Sequence, residues 1–371
     1  MTARPLRIAL VGSGFMGRAH AMAFAAVRRT FDLPVEPVLE ILADRDPEQA
    51  AGAARALGFT RSTGDWREAV ADPAIDLVAI AAPNLLHAPI ALAALAAGKP
   101  VYCEKPLAAT LAEAQAMADA AAASGLPTAV GYTYLYNPMI ALAREIVAGG
   151  EIGEVTAFRG IHAEDFMATA DAPFNWRCEP AQAGGALADI GSHIIALARH
   201  LIGEVAEVSG RLHTAHPVRR DATGAARDVA VDDQMDAVVR FSSGATGTLS
   251  ASWIATGRKM GLAFEISGTK GSIAFTQERF NELQLYREGA GLRSGFTTIM
   301  AGPGHGEYGA FCPASGHQIG YNDLKTIEVK AAIDAVLGIP GAAKNFADAL
   351  RTERVAHAIR ASHAERRWVE P

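Results

Sequence analysis

The sequence predicts an α/β domain built on a parallel sheet, followed by an α+β domain that carries a second sheet. In the first 127 residues, short β-branched runs alternate with alanine-rich helical stretches, which is typical of parallel strands covered by helices on both faces. After about residue 130, strand-like segments follow one another with few intervening helices, which favours an antiparallel or mixed sheet. A length of 371 residues suits two domains, and we expect them at residues 1–127 and 128–371.

The elements of the first domain are predicted from apolar runs and from residues that begin or end helices. Pro47 suits the first turn of a helix, whereas Gly98 and Gly125 suit the position just after one. The predicted strands are 6–11, 38–43, 76–81 and 99–103, with a further one at 128–131, and the predicted helices are 14–29, 47–57, 87–97 and 110–124.

The second domain is predicted from alternating segments joined by turn sequences. The predicted strands are 155–161, 207–212, 235–241, 246–253, 263–267, 272–275 and 283–286. The predicted helices are 138–148, 184–202, 323–337 and 344–365. Residues 215–228 and 288–320 are rich in Gly, Pro and polar groups, and we expect them to be long loops of the kind that often carries function.

Composition limits the classes of function. The chain has 34 basic and 40 acidic residues and a net charge of −6, so it lacks the basic surplus that neutralises nucleic-acid phosphates. No stretch of 18 apolar residues is free of charges or breakers, and the short N-terminal apolar run does not resemble a signal peptide, so we expect no membrane partner and no secretion. Three separated cysteines, Cys103, Cys178 and Cys312, indicate reduced thiols in a cytoplasmic protein and no disulfide or metal framework.

A glycine motif directly follows the first predicted strand. Residues 12–17, GSGFMG, have the form G-x-G-x-x-G and open a helix, the context in which this motif indicates a dinucleotide site. The first glycine permits a tight turn, the second lets the backbone approach a pyrophosphate, and the third lets helix and sheet pack closely. The residues expected at the cofactor are Gly12, Gly14, Phe15, Met16 and Gly17.

Asp44 ends the second predicted strand. A carboxylate there would hydrogen-bond the adenosine ribose of NAD and repel the 2′-phosphate of NADP. Arg45 follows at once and could accept that phosphate, so the sequence favours NAD and leaves NADP possible. Alternatively, Asp44 or Asp46 caps the next helix, and Asp46 suits that role better because it directly precedes Pro47.

Two polar motifs follow strands of the parallel sheet, at the carboxyl ends where ligands bind in such sheets. One strand continues into Glu104-Lys105-Pro106, which brings the Lys105 amine near the expected nicotinamide, where it can act on a substrate hydroxyl. Another continues into Pro83-Asn84, with His87 on the following helix, and we expect these residues, together with Glu104 and Lys105, near the cofactor. The alternatives are a surface lysine, a helix cap and an ordinary helix-terminus histidine.

Asp189 and His193 are four residues apart on the helix 184–202, so both project from one face. The apolar positions beside them, which should pack on the sheet, place the pair between core and solvent, where a cleft wall would be. An aspartate and a histidine in this arrangement can share a substrate hydroxyl, or the aspartate can orient the histidine. The alternative is a structural pair on a solvated helix.

These motifs together resemble those of the glucose–fructose oxidoreductase, inositol dehydrogenase and MocA (Gfo/Idh/MocA) family, and the resemblance covers essentially the whole chain. Within the family, the chain resembles scyllo-inositol and levoglucosan dehydrogenases through four further runs: Trp176-Arg177, Val-Asp-Asp at 231–233, Gly-Thr-Lys-Gly-Ser at 268–272, and Gly320-Tyr321.

The resemblance implies a Rossmann domain followed by an α+β domain with an open, mostly antiparallel sheet. It implies a homo-oligomer, a dimer or tetramer, built through that sheet, and a closing helix at 344–365 that packs back near the first domain. It also implies a cis peptide bond before Pro106, and that Lys105, Asp189 and His193 meet at the reacting hydroxyl above the nicotinamide.

The corresponding hypothesis is hydride transfer from a sugar or polyol. His193 takes the hydroxyl proton, Lys105 stabilises the developing alkoxide and Asp189 orients the pair. On the loop before the catalytic helix, an indole can cover a sugar ring and a guanidinium can donate to its hydroxyls, although a loop anchor and a solvated charge are the alternative. The residues expected to contact substrate, besides the three catalytic ones, are Trp176, Arg177, Tyr132, Asp165 and Tyr321.

Two other functions stay open at this point. An NAD-dependent glycosidase of the same family would recycle its cofactor and give no net NADH. A non-catalytic NAD(P)-sensing regulator would be expected to lack Lys105, Asp189 or His193, and all three are present. The sequence therefore favours a dehydrogenase that acts on a sugar or polyol hydroxyl.

Overall fold

The structure, a computed structural model, describes residues 3–289 and 291–371. It contains two compact units. The first comprises the chain up to Tyr136 together with Ile319–Leu350, and the second comprises Asn137–Gln318 together with Arg351–Pro371. A parallel sheet in the first unit and an open, mostly antiparallel sheet in the second confirm the predicted fold class.

The first unit is built on a six-stranded parallel sheet in the order β3-β2-β1-β4-β5-β6. Its strands are β1 Arg4–Val11, β2 Val35–Ala43, β3 Arg61–Thr63, β4 Leu77–Ile80, β5 Val101–Glu104 and β6 Thr128–Gly131. Its first helices are α1 Phe15–Thr30, α2 Pro47–Leu57, α3 Trp66–Ala71, α4 His87–Ala96 and α5 Leu111–Ser124. The central strand β4 is apolar and buried at all four residues, as expected where helices cover both faces of a sheet.

Two elements of this unit, β3 and α3, are absent from the sequence prediction. β3 consists of three polar residues at the edge of the sheet, so it has no apolar run that would reveal it.

The domain boundary also differs from the expectation, because β6 pairs with β5 in the first unit rather than opening the second. The structure therefore moves the boundary from residue 127 to residue 136.

The second unit is built on an eight-stranded sheet in the order β16-β15-β14-β13-β7-β12-β11-β8. Its neighbours are antiparallel except for β7 and β12, which are parallel. The strands are β7 Val155–Ala163, β8 Val205–His213, β11 Gln234–Phe241, β12 Thr246–Ser252, β13 Gly261–Gly268, β14 Gly271–Thr276, β15 Glu282–Arg287 and β16 Thr297–Met300, and a separate hairpin joins β9 Val218–Arg220 to β10 Ala226–Asp228.

In the described part of residues 137–318, the α-helices are α6 Pro138–Ala148, α7 Ser192–Leu201 and α8 Tyr308–Phe311. α7 packs on β7 and β12, which covers one face of the sheet. Along β11, buried residues therefore alternate with the exposed residues of the opposite face. The two expected long loops are partly ordered, because 215–228 holds β9 and β10 and 288–320 holds β16 and α8, with residue 290 outside the described residues.

Two helices close the chain, α9 Tyr321–Val336 and α10 Phe346–Glu365. The sequence prediction places α9 in the second domain, but α9 packs against α1 and belongs to the first unit. The start of α10 also belongs there, since the Phe346 amide donates to Thr128 Oγ1 at 3.2 Å, whereas the rest of α10 belongs to the second unit. None of the helices in the described ranges is long and apolar enough to cross a bilayer.

Candidate active site

The glycine turn between β1 and α1 has the geometry that a dinucleotide site requires. Gly12 has a φ of +103°, and a Cβ on it would lie 2.5 Å from the Ala81 carbonyl oxygen. A Cβ on Gly17 would collide with the Gly12 carbonyl, whereas a Cβ on Gly14 would meet open space. The turn is thus closed on the sheet side and open on the side from which a pyrophosphate would approach the N-terminus of α1.

Asp44 is bound to this turn rather than to the next helix. Its Oδ2 accepts hydrogen bonds from the Ser13 amide at 2.9 Å and the Ser13 hydroxyl at 2.5 Å. Within the described residues its Oδ1 accepts no hydrogen bond, which leaves that oxygen for a ribose hydroxyl. Asp46 is the helix cap, with its carboxylate accepting from the Glu48 and Gln49 amides, while Arg45 is exposed. These residues fit an NAD adenosine.

The turn that carries Lys105 follows β5. The Lys105–Pro106 peptide bond is cis, as the family resemblance implies. His87 Nδ1 lies 2.8 Å from the Pro106 carbonyl and His87 Nε2 lies 3.0 Å from the Ala82 carbonyl. Burial lowers the pKa of His87. Both ring nitrogens are engaged by backbone, so His87 ties the loop after β4 to the Lys105 turn, and this contact was not foreseen from the sequence.

Three other predicted residues of the first unit have surroundings that the sequence did not indicate. Tyr321, expected on the substrate side, begins α9 and lies beside the glycine turn: its ring stacks on Phe15 at 6.0 Å and its hydroxyl is 3.4 Å from Met16 Sδ. Burial raises the pKa of Tyr321 to about 12. Tyr132 and Asn84 are buried within this unit. The unusually exposed Phe15, at 74 %, leaves an aromatic surface at the cofactor turn.

In the second unit, Asp189 lies on a single π-helical turn, Leu187–Gly191, that runs directly into α7. Such wide turns occur frequently at functional sites. Asp189 Oδ2 accepts a hydrogen bond from Arg177 Nε at 2.8 Å. The helix predicted at 184–202 therefore begins later and starts with an irregular turn that the four-residue spacing alone did not reveal.

The Arg177 guanidinium is stacked between two aromatic rings. Its central carbon lies 4.4 Å from the centre of the Trp176 ring and 5.5 Å from that of Phe166. Arg177 Nε is used by Asp189, and no residue in the described ranges accepts a hydrogen bond from the two terminal nitrogens Nη1 and Nη2. Phe166 was not recognised from the sequence, since an isolated aromatic residue in a loop carries no pattern.

His193 lies on the first turn of α7, where its ring centre is 5.5 Å from that of His162 on β7. His162 is itself fixed, with Nδ1 at 2.9 Å from the Ile190 carbonyl and Nε2 at 3.0 Å from Glu164 Oε1. His162 is absent from the sequence prediction, because its contact with α7 joins residues about 30 positions apart.

Two acidic groups hold the surrounding loops. Asp165, a predicted substrate residue, pairs with Lys259 Nζ at 2.7 Å and accepts from the Gly257 amide, and the Lys259 ammonium lowers the pKa of that carboxyl. Asp232 accepts from the Leu187 amide at 2.7 Å and so fixes the start of the π-helical turn. Among the described residues, no group of three or more His, Cys, Asp or Glu side chains could hold a metal ion.

Comparison with known proteins identifies the family of the chain. Residues 6–132 match the model of an oxidoreductase family with an NAD-binding Rossmann fold, and residues 140–274 match the GFO/IDH/MocA C-terminal domain. The chain is 40% identical to levoglucosan dehydrogenase from Pseudarthrobacter phenanthrenivorans over 98% of both chains. It is 30% identical to scyllo-inositol 2-dehydrogenase (NAD(+)) from Bacillus subtilis over 72% of this chain and 73% of that protein.

A solved structure of levoglucosan dehydrogenase in complex with NADH is similar throughout, with a TM-score of 0.96, 40% identity and coverage of 99% of each chain. The fold, the glycine turn and these matches define an NAD-binding oxidoreductase. The chain belongs to the Gfo/Idh/MocA family, its cofactor is NAD, and its named relatives are sugar and polyol dehydrogenases.

Proposed function

We propose that the protein oxidises a secondary hydroxyl of a cyclitol or sugar. The observation that carries this proposal is the Arg177 guanidinium, which is fixed by Asp189 and by two aromatic rings and keeps two terminal nitrogens for a ligand. A planar set of donors beside exposed aromatic faces suits a ring whose edges carry hydroxyls and whose faces carry C–H groups. The names of the relatives, levoglucosan and scyllo-inositol dehydrogenase, support the same class of substrate.

In the proposed reaction, Lys105, Asp189 and His193 act on one substrate carbon. His193 accepts the hydroxyl proton as the C–O bond gains double-bond character. The Lys105 ammonium donates a hydrogen bond to the developing alkoxide, and Asp189, held by Arg177, orients the hydroxyl and the imidazole. Bound NAD supplies the hydride acceptor, so the substrate loses one hydride and one proton and becomes a ketone or lactone.

The cofactor residues in this proposal are those of the first unit that surround the glycine turn. The backbone at Gly14 approaches the pyrophosphate, and the Asp44 carboxylate accepts from the ribose hydroxyls and disfavours a 2′-phosphate. His87 holds the backbone and does not bind the cofactor directly, because both of its ring nitrogens contact backbone carbonyls of the loops beside Lys105.

The substrate class is tested by reduction of NAD and NADP with a panel of inositols, aldopyranoses and anhydrosugars, followed by NADH absorbance. We expect turnover with NAD on at least one of them, and a loss of kcat of roughly 10²-fold or more in Lys105→Ala. Lys330→Met is the matched control, since Lys330 pairs with Asp334 on α9 at 2.8 Å, and it should keep wild-type turnover. Full turnover of Lys105→Ala would refute the assignment. Cleavage of a sugar without net formation of NADH would show that the protein is a glycosidase and not a dehydrogenase.

We also propose that the protein works in the cytoplasm as a homo-oligomer, a dimer or tetramer, built through the uncovered face of the eight-stranded sheet. Apolar residues such as Ile161 on β7 and Val238 on β11 are 42 % and 47 % exposed on that face, and a second copy of the chain would cover them.

A further inference from the structure

Four ionisable side chains form a buried cluster in the first unit, behind the turn that carries Lys105. Glu104 comes from the last position of β5, His20 from α1, and Lys325 and Glu328 from α9. All four are buried. We call them the Glu104 cluster. Nothing in the proposed reaction uses this cluster, although Glu104 is the residue directly before Lys105.

Lys325 is the centre of the cluster. Its ammonium is 2.8 Å from Glu104 Oε1, 2.5 Å from Glu328 Oε2 and 3.4 Å from the Tyr102 hydroxyl. An ammonium has three hydrogens to donate, so each has an acceptor. Burial alone would lower the pKa of Lys325, but the two carboxylates outweigh it and raise that pKa. The two carboxylates therefore favour the charged form of Lys325.

The Glu104 carboxylate is fixed from several sides. Its Oε1 faces Lys325 and lies 2.7 Å from His20 Nε2, and its Oε2 accepts from the Lys105 amide at 3.3 Å. A Cβ on Gly131 of β6 would lie only 2.7 Å from Oε2. Burial acts to raise the pKa of Glu104, but Lys325 and His20 overcome it and hold that pKa well below its usual range. Lys325 and His20 thus favour the carboxylate form of the group that contacts the Lys105 backbone.

The Glu104 cluster is not the arrangement expected if these side chains served only to stabilise the fold. One ammonium and two carboxylates leave a formal charge of −1 in a buried place. Glu328 Oε1 has no hydrogen-bond partner among the residues that the structure describes, and burial raises the pKa of Glu328. Buried ion pairs are often no more stable than apolar side chains of the same volume. A buried net charge and an unpaired carboxylate oxygen both cost folding free energy. Because they occur in the cluster that includes Glu104, the residue next to Lys105, we infer that the cluster helps to position Lys105.

We propose that Lys325 is a positioning residue for Lys105. By holding the Glu104 carboxylate it fixes the start of the Glu-Lys-Pro turn, while His87 fixes the carbonyl at the end of the turn. The Lys105 amine is then presented from a backbone that is anchored on both sides of it. The expected effect of Lys325 on turnover rests on the proposed function. The anchoring of the Lys105 turn by Lys325 does not depend on which substrate the protein uses.

The test compares Lys325→Met, the charge-matched double variant Lys325→Met/Glu328→Gln, and Lys330→Met on the same helix. The double variant keeps one carboxylate, Glu104, and so retains the formal charge of −1. If the single variant does not fold, the double variant still tests whether Lys325 positions Lys105. We expect kcat to fall roughly 10- to 100-fold in the Lys325 variants, as for a misplaced catalytic group. KM for NAD should change little, and Lys330→Met should match wild type.

Amide hydrogen exchange of the peptide 103–108 gives a readout that does not need a substrate. We expect faster exchange of this peptide in the Lys325 variants, with the glycine-turn peptide 10–18 unchanged. If the double variant folds, and its amide exchange and kcat equal those of wild type, Lys325 does not position Lys105. If exchange rises equally throughout the first unit, the role is general stabilisation and the inference is equally overturned. If wild type turns over no sugar or polyol, the proposed function fails, and the exchange data still decide the anchoring.

Discussion

Arg177 shows how one side chain can be prepared for a ligand before the ligand arrives. Long arginine side chains lose conformational freedom on binding, and this loss opposes affinity. In this protein, the Asp189 ion pair and the rings of Trp176 and Phe166 restrict the guanidinium in advance. The exposed aromatic residues beside it, Phe166 at 43 % and Trp176 at 37 %, therefore serve binding through Arg177 as well as through their own surfaces.

Replacing Phe166 by Ala should weaken sugar binding without affecting the cofactor. The variant removes one ring of the Arg177 stack, an interaction of about 1 kcal/mol, so KM for the sugar should rise about fivefold while the NADH dissociation constant stays constant. Steady-state kinetics and NADH fluorescence measure the two quantities.

A matched control for this variant is Trp368→Ala. It removes an exposed ring of the same unit that stacks on Arg240 at 6.0 Å, and its KM should equal that of wild type. An unchanged KM in Phe166→Ala would show that the ring is not needed to hold Arg177.

The residue types of the site were predictable, but several of their partners were not. Gly12, Asp44 and Lys105 each follow a strand of a parallel sheet, so topology alone indicates where they lie. The Arg177–Asp189 pair, the His87–Pro106 contact and the position of Tyr321 beside Phe15 join residues distant in sequence. Local patterns contain no information on such contacts.

At the scale of elements, β6 shows how a strand can be shaped by its neighbour's side chain. Gly131 ends β6, and the space beside its Cα is filled by the Glu104 carboxylate. That carboxylate cannot move aside easily, because Lys325 and His20 hold its other oxygen. The last position of this edge strand therefore accepts only glycine.

Gly131→Ala should destabilise the protein by about 1 to 3 kcal/mol, the usual cost of overfilling a packed site, and should lower kcat because the Glu104 contact to the Lys105 amide is displaced. Gly52→Ala is the matched control: it lies within α2 with open space at its Cβ, and it should stabilise by roughly 0.5 to 1 kcal/mol. Denaturant unfolding gives both values. Equal effects of the two substitutions would contradict the crowding argument.

Long apolar runs made most elements predictable, and short or polar ones hid the rest. β4 and the Ile8–Val11 half of β1 are continuous apolar runs, whereas β3 has three polar residues and the β9–β10 hairpin has short strands with charged side chains. The assignment of α9 to the wrong domain has another cause: its pattern shows that one face is buried but not which sheet buries it.

At the scale of the whole molecule, the proposed oligomer depends on the uncovered face of the eight-stranded sheet. Val238→Asp puts a charge on that face, on strand β11 next to the sheet edge, and burying it against a second copy would carry a large desolvation cost. We expect the variant to be smaller than wild type in size-exclusion chromatography with light scattering. Val218→Asp, on the separate β9–β10 hairpin and equally exposed, should leave the size unchanged. A monomeric wild type would contradict the proposal outright.

The placement of α9 has a consequence for biosynthesis. The strands of the first unit emerge from the ribosome within the first 131 residues, yet the ammonium that neutralises Glu104 is residue 325. During translation of the intervening segment, the nascent nucleotide-binding sheet contains an acidic side chain without its counter-ion and an α1 surface without its covering helix. The first unit reaches its native state only when almost the entire polypeptide has been made, so early termination products of this gene contain no finished domain.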